Sequence, residues 1–366
     1  TYIQLYTGGS SYVAPLFYNV IHMMSNVQQI NTTSYNPLFS YISNRTNDYF
    51  EEQYPTTVKN IVDLENQLIN STEATAQGDL AIARIQKVLI FSRLTDTYGD
   101  IPYSEAGKGS LEGISFPTYD KEIYADMLKV LESSATTLSS STVKNSYGSA
   151  DLFFKGDNAK WKKFANSLML RLALRMVKVD EAGAQAWAQK AITGGVMSSN
   201  ADIAYLKYEV NANDQGPNVN PLTKSFSSRA QNQIKISKTF FDFLTATNDP
   251  RITVLCSTVT GDTTLALQSG QDINNNTSAA ANSKPNINLF GGNNKIVLDA
   301  PLFFQTYAEV EFMLAEADFR WGIAGGNAST HYNNGVTAAM SYLSMYGAGG
   351  VISNTAINNY LTSNPF

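Results

Sequence analysis

Four carboxylates lie close together in the string Tyr307-Ala308-Glu309-Val310-Glu311-Phe312-Met313-Leu314-Ala315-Glu316-Ala317-Asp318. A glycoside hydrolase works with two such groups, one as acid and one as base or nucleophile, facing each other across a cleft. Glu309 and Glu316 share a helix face two turns apart, so unaided they cannot straddle a substrate. A solvated or salt-bridged face is the expected role for them, and Glu51-Glu52 reads as the start of a helix. No G-x-S-x-G elbow, H-E-x-x-H pair or phosphate-cradling glycine loop occurs. His22 and His331 are far apart and have no nucleophile motif beside them, so each reads as an incidental polar residue. Cys256 is the single cysteine, which excludes an internal disulfide and leaves no soft metal-ligand cluster. The sequence therefore predicts no catalytic group, no metal site and no cofactor.

Aromatic rings are the other residues with recognisable chemistry. Tyr35, Tyr41 and Tyr49 fall in a stretch over residues 31–54 that mixes rings with Asn, Ser and Thr, broken by Pro37 and Pro55. Tyr205, Tyr208 and Phe226 fall in a second irregular stretch, rich in Asn, Gly, Ser and Pro, over residues 200–300. A flat tyrosine ring stacks on the apolar face of a sugar while its hydroxyl still hydrogen-bonds. These six side chains are the candidate ligand contacts, and the competing reading is a loop whose rings simply pack down.

Composition narrows the class. Hydrophobic residues make up 43% and charged residues only 16%, so polarity comes from Asn, Ser, Thr, Gln and 20 Tyr, as in a folded surface protein rather than a disordered one. With 26 basic and 31 acidic residues the net charge is -5, and no Lys/Arg cluster offers a footprint for nucleic acid. No stretch approaches the roughly 20 apolar residues of a membrane-spanning helix. Asn-x-Ser/Thr triplets at Asn31, Asn44, Asn70 and Asn327 would matter only in a secreted eukaryotic protein.

Helical periodicity supplies the framework. Residues 81–97 carry Ala81, Arg84, Ile85, Val88, Leu89 and Ser92 at three- and four-residue spacing, and Gly99 and Pro102 stop the helix. Val58, Ile61, Val62, Leu68 and Ile69 form one stripe from residue 57, making a hairpin with it across the turn at 71–78. Further helices are predicted over 13–30, 119–138, 159–179, 181–193, 237–245, 304–321 and 331–346. Asp157 or Asn158 is a plausible N-cap, and Asn248-Asp249-Pro250-Arg251-Ile252 a turn. Repeated helical pairs predict a predominantly all-α fold, a tetratricopeptide-like hairpin scaffold with a long irregular loop region. Residues 261–285 read as a long polar loop.

Three strings carry a family resemblance. Tyr98-Gly99-Asp100-Ile101-Pro102-Tyr103-Ser104-Glu105-Ala106 resembles the "YGDIPYSEA" signature of SusD/RagB-type outer-membrane lipoproteins, in the SusD-like nutrient-binding branch. Trp161-Lys162-Lys163-Phe164-Ala165-Asn166-Ser167-Leu168-Met169-Leu170-Arg171-Leu172-Ala173 and the 307–317 string resemble two of its helices, in the same order. The 248–252 turn is similar to one of its turns as well.

The resemblance implies a single SusD-like domain over 1–366, with scaffold at about 57–195 and 303–347 and a ligand-facing loop region at about 200–300. It implies a non-catalytic surface protein, anchored to the outer membrane by an N-terminal lipid. Such a protein captures an oligosaccharide, or in some members a peptide, for a TonB-dependent, SusC-like transporter. The family's signal peptide, lipidated Cys and C-terminal segment have no counterpart in this string, so the resemblance implies trimming at both ends. The competing reading is a helical-repeat adaptor that binds another protein, as stacked hairpins commonly do.

Overall fold

The computed structural model describes residues 1–10, 28–30, 47–209, 218–221, 234–236, 238–257, 284–285 and 299–366. The α-helices of five or more residues among the described residues are, in chain order, α1 (Tyr2–Tyr6), α2 (Asp48–Gln53), α3 (Lys59–Ile69), α4 (Ala76–Tyr98), α5 (Ile123–Leu138), α6 (Asn158–Arg175), α7 (Glu181–Gly194), α8 (Lys238–Ala246), α9 (Tyr307–Trp321), α10 (Ala328–Ser341) and α11 (Asn354–Ser363). Short strands are β1 (Gln28–Ile30), β2 (Ile101–Pro102), β3 (Tyr119–Asp120), β4 (Ala204–Leu206), β5 (Ile234–Ile236), β6 (Cys256–Ser257), β7 (Lys284–Pro285) and β8 (Leu302–Gln305). They form two-stranded ribbons β1–β5, β2–β3, β4–β8 and β6–β7, so the fold is helical and strand serves only as local ties. Contacts divide the chain into two compact units. One holds residues 1–7, 53–206 and 303–339; the other holds 8–52, 207–302 and 340–366.

The first unit is built outward from α4. Its predicted Ala81/Ile85/Val88 face is buried, but so are Ile82, Ile90, Phe91 and Leu94, which point in other directions. One apolar stripe would need one neighbour; burial all round needs several. Helix α3 packs on one side of α4 and α5 on another, and α6 and α7 continue the series with α9 against α6. Two of the charges on α4 face α3, where Arg84 and Lys87 meet Glu65 at 2.9 and 2.7 Å; Asp79 instead accepts from Ser146 and Asp96 pairs with Arg175 of α6. Gly78 admits a close approach: a side chain there would put its Cβ 2.1 Å from the Lys144 carbonyl.

Gly99 ends α4 with φ of 77°, a conformation that favours glycine, and donates its N–H to Thr95 O at 2.9 Å. The signature string that follows is a fastening. Ile101 is fully buried, and β2 pairs with β3 in the register Ile101–Asp120 and Pro102–Tyr119. Asp120 accepts the N–H groups of Tyr103 and Ser104 at 3.0 and 2.8 Å, and Glu105 accepts Thr118 N–H at 2.6 Å. Tyr54, in a π-helical turn at Tyr54–Val58 that leads into α3, donates its hydroxyl to Pro102 O at 2.6 Å. The Tyr103 ring packs edge-on against Phe91 of α4, with centroids 4.8 Å apart. The string thus ties α3, α4 and the entry to α5 together. Residues 119–122 are spent on this tie, which is why α5 starts at Ile123 and not at the predicted 119.

Helix α6 is capped by Asp157, which accepts the N–H groups of Ala159 and Lys160 at 2.9 and 3.2 Å. Trp161 is fully buried and donates its indole N–H to the buried Asp151 at 2.7 Å. Phe153, Phe154, Phe164 and Phe304 surround that indole or one another at 5.1 to 6.2 Å between centroids. Residues 302–305 are extended as strand β8 before α9, so this helix begins at Tyr307, three residues later than predicted.

In the second unit, the 248–252 turn is structural, as expected. Asn248 takes φ of 51°, and Asp249, 1% exposed, is held by the Arg251 guanidinium at 2.5 Å. Phe241, Leu244 and Cys256 form one small core, and Val254 with Leu343 another. Asn364, just past α11, donates to Thr247 O at 3.1 Å. The helix predicted over 13–30 is corrected at its end: Gln28–Ile30 is a strand whose backbone pairs with Ile234–Ile236. The rest of that segment lies outside the described residues.

Leu89 sits at zero exposure in the middle of α4. Leu89→Ala is expected to lower the unfolding free energy by about 2–5 kcal/mol in urea titration, with helical circular dichroism unchanged before the transition.

Candidate functional site

The four carboxylates on α9 are each committed to the fold. Glu309 takes the Arg171 guanidinium on both oxygens at 2.6 and 2.7 Å, and the same guanidinium donates to Phe304 O at 2.8 Å. Glu316 pairs with Arg320 at 2.7 Å along the helix. Glu311, only 4% exposed, binds His331 Nδ1 at 2.6 Å and accepts the Tyr307 hydroxyl. Asp318 accepts the backbone N–H groups of Ala324 and Asn327 at 2.5 and 2.7 Å, closing the loop into α10. No two of them face each other across an open cleft, so the arrangement does not serve general acid–base hydrolysis.

His331 is not the incidental residue the sequence suggests. Both its ring nitrogens face acceptors, Nδ1 the Glu311 carboxylate and Nε2 the Ala324 carbonyl at 3.1 Å, with Asp318 Oδ2 3.9 Å away. Only the imidazolium can donate at both positions. Burial pulls its pKa down, yet the hydrogen bonds to Glu311 and Ala324 O and the charges of Glu311 and Asp318 leave it raised above 6.5. Burial raises Asp318, but the hydrogen bonds from the Gly326, Asn327 and Ala324 backbone carry it below 3.8 on balance. His331, Glu311 and Asp318 thus form a clasp between α9 and α10. Sequence reading missed it because the partners are twenty and thirteen residues from the histidine and meet only through the hairpin.

Cys256 is buried, and burial alone pushes its thiol up to about 12, so no thiolate is present at neutral pH. Among the described residues no three His, Cys, Asp or Glu side chains are placed to hold a metal ion. No helix among them is long and apolar enough to cross a membrane.

The predicted contact rings fare differently. Tyr49 and Tyr208 are 1% and 4% exposed, and a ring without an open face cannot stack on a ligand. For those two the expectation is corrected: each is packing. Tyr205 is half-buried, the middle residue of β4, with Ala204 and Leu206 pointing the other way into the core. Its ring lies 6.0 Å from Phe303 of β8 at an interplanar angle of 38°, so these strands bring together two partly open rings. Phe303 was not among the rings read from the sequence, and Leu302-Phe303-Phe304-Gln305 carries no alternation to single it out, its first two residues being half-buried and its last two buried. Tyr35, Tyr41 and Phe226 lie outside the described residues, as does most of the 261–285 stretch.

Residues 10–365 match the SusD-like family model described as "Starch-binding associating with outer membrane". The chain belongs to the SusD-like family. Among solved structures, this SusD-like chain superposes on a chitin-binding protein with a TM-score of 0.85 and 28% identity, covering 100% of this chain and 78% of that one. A SusD-like protein from Bacteroidetes gives 0.83 and 24%, with coverage of 99% and 80%. A chitin-binding SusD homologue from Flavobacterium johnsoniae gives 0.79 and 24%, with coverage of 98% and 71%. At 24% these last two speak to the fold alone. No curated protein matches the chain.

The clasp gives this SusD-like protein a pH signature. A raised folded pKa for His331 means its contribution is full below 6.5 and is lost as pH rises through the folded value. Thermal melts should therefore show wild type above His331→Gln at about pH 5 and the gap closing towards about pH 9. A gap that widens with pH would contradict the imidazolium assignment.

Proposed function

We propose that this protein captures an oligosaccharide at the cell surface without altering it covalently and passes it to a TonB-dependent, SusC-like outer-membrane transporter. The observation that carries the reading is the match of nearly the whole chain to a family described as starch-binding and associated with the outer membrane. Support comes from the chitin-binding relative at 28% identity and from the commitment of every α9 carboxylate to a structural partner. On this reading the protein is held to the outer membrane by an N-terminal lipid. The helical unit keeps its shape while irregular segments meet the ligand. Rings stack on the apolar faces of sugar units, and Asn, Gln and Asp side chains bond their hydroxyls. Tyr205 with its neighbour Phe303, and Tyr35, Tyr41 and Phe226, are the contacts proposed. Binding of this kind involves no cofactor and no bond-breaking step.

Calorimetry with chito- and malto-oligosaccharides tests the reading. Binding of at least one series is expected, with Tyr205→Ala weakening it by about 1–3 kcal/mol and leaving the melting temperature in place. Chromatography of the same mixtures should return the glycan intact. Hydrolysis lost on Glu309→Gln would instead make the protein an enzyme.

A further inference from the structure

We propose that the cleft bounded by α5, α6 and α7 is a second carbohydrate subsite on the helical unit, separate from the ring contacts above. The proposal rests on the glycan-binding reading and extends it to a surface that this reading does not use. The cleft has a volume of about 410 Å³, within the range of small-ligand sites.

Its floor is built from Asn166 of α6, which is 2% exposed and lines the cleft. The Asn166 amide donates through Nδ2 to Gly195 O at 3.0 Å, while its Oδ1 has no hydrogen-bond partner among the described residues. The mouth is held at a set width by Lys190 of α7. Its ammonium pairs with Glu132 of α5 at 2.9 Å and lies 4.1 Å from the centroid of the Trp187 ring. Gln189 donates to the Thr193 hydroxyl at 3.2 Å, leaving its own carbonyl and that hydroxyl's proton for a ligand. Lys162 lines the α6 wall and enters no ion pair among the described residues.

Donors and acceptors are therefore both on offer, beside the nearly buried Met169 and Ala135. A sugar unit has that profile, since each hydroxyl both donates and accepts while the ring presents a C–H face. A purely apolar ligand would leave Asn166 and Gln189 without partners, which is costly. A multiply charged anion would meet Glu132 as well as Lys162.

The test is an NMR titration of the full chain with chitohexaose and, separately, maltohexaose, following the side-chain amides of Asn166 and Gln189. The companion variant is Thr136→Trp, at an exposed α5 position lining the cleft, whose indole would fill it without entering the core. The expected result is saturable shifts of both amides in the wild type with at least one glycan. Thr136→Trp, with an unchanged melting temperature, should lose them and bind one fewer glycan by calorimetry. Glycan shifts that spare both amides and persist in Thr136→Trp would overturn the subsite and leave the proposed function standing. Absence of binding to either glycan anywhere on the chain would remove both. Displacement of the amide shifts by an unrelated hexapeptide, with no glycan effect, would reassign the cleft to peptide and overturn the subsite.

Discussion

Helix α4 has almost no face to give to water. Ile82, Ile85, Val88, Leu89, Ile90, Phe91 and Leu94 point around its circumference, and each is at most 4% exposed. At roughly 25 cal/mol per Å² of apolar surface removed from water, covering such a helix on every side is a strong drive to recruit neighbours. Helices α3 and α5 answer it directly, and α6 and α7 extend the same stack. The 98–106 string then prevents the stack from slipping. It ends α4 at Gly99 and buries Ile101. It also hydrogen-bonds Asp120 and Asp126 at the entry to α5. A string read in one dimension as a helix stop and a family signature is a structural tie in three.

The same physics explains where the α9 carboxylates go. Buried or half-buried acids must be paired or hydrogen-bonded, and on α9 each finds a different partner: a guanidinium on α6, an imidazole on α10, an arginine one turn along, and the backbone of the following loop. Glu309, Glu311 and Asp318 in this way tie α9 to α6, to α10 and to the loop that follows it, while Glu316 pairs within its own helix. On the proposed reading, recognition would fall to partly open rings such as Tyr205 and Phe303, whose centroids lie 6.0 Å apart.

How far the sequence could be read depends on the range of the interaction. Periodicity located α3 to α7 and α9 within a few residues, because side-chain spacing along a helix is a local property. The Asp157 cap and the Asp249-Pro250 turn were legible for the same reason. Burial of Ile82, Ile90 and Phe91 was not, since a helix covered on all sides looks like one with a weak stripe. Two-residue strands escaped notice too, because β2 and β3 exist only through each other, nineteen residues apart between Ile101 and Asp120. Helix α11 was missed because its Asn-rich string has low propensity, and it starts on a Ser353 side chain accepting Ala356 N–H at 3.2 Å. Among the rings, polarity of the surrounding sequence was a poor guide: Tyr49 and Tyr208 are as buried as core leucines, whereas strand alternation leaves Tyr205 partly open.

The central claim is that a helix buried on all sides anchors a rigid unit whose shape does not change when ligand is held. Hydrogen–deuterium exchange of the intact protein, with and without saturating chitohexaose, tests it most directly. Amides of residues 81–94 are predicted to be the slowest in the chain and to exchange at the same rate in both conditions, with any ligand protection falling elsewhere. Exchange there as fast as in the exposed turns of α7, or a change on adding glycan, would contradict the account.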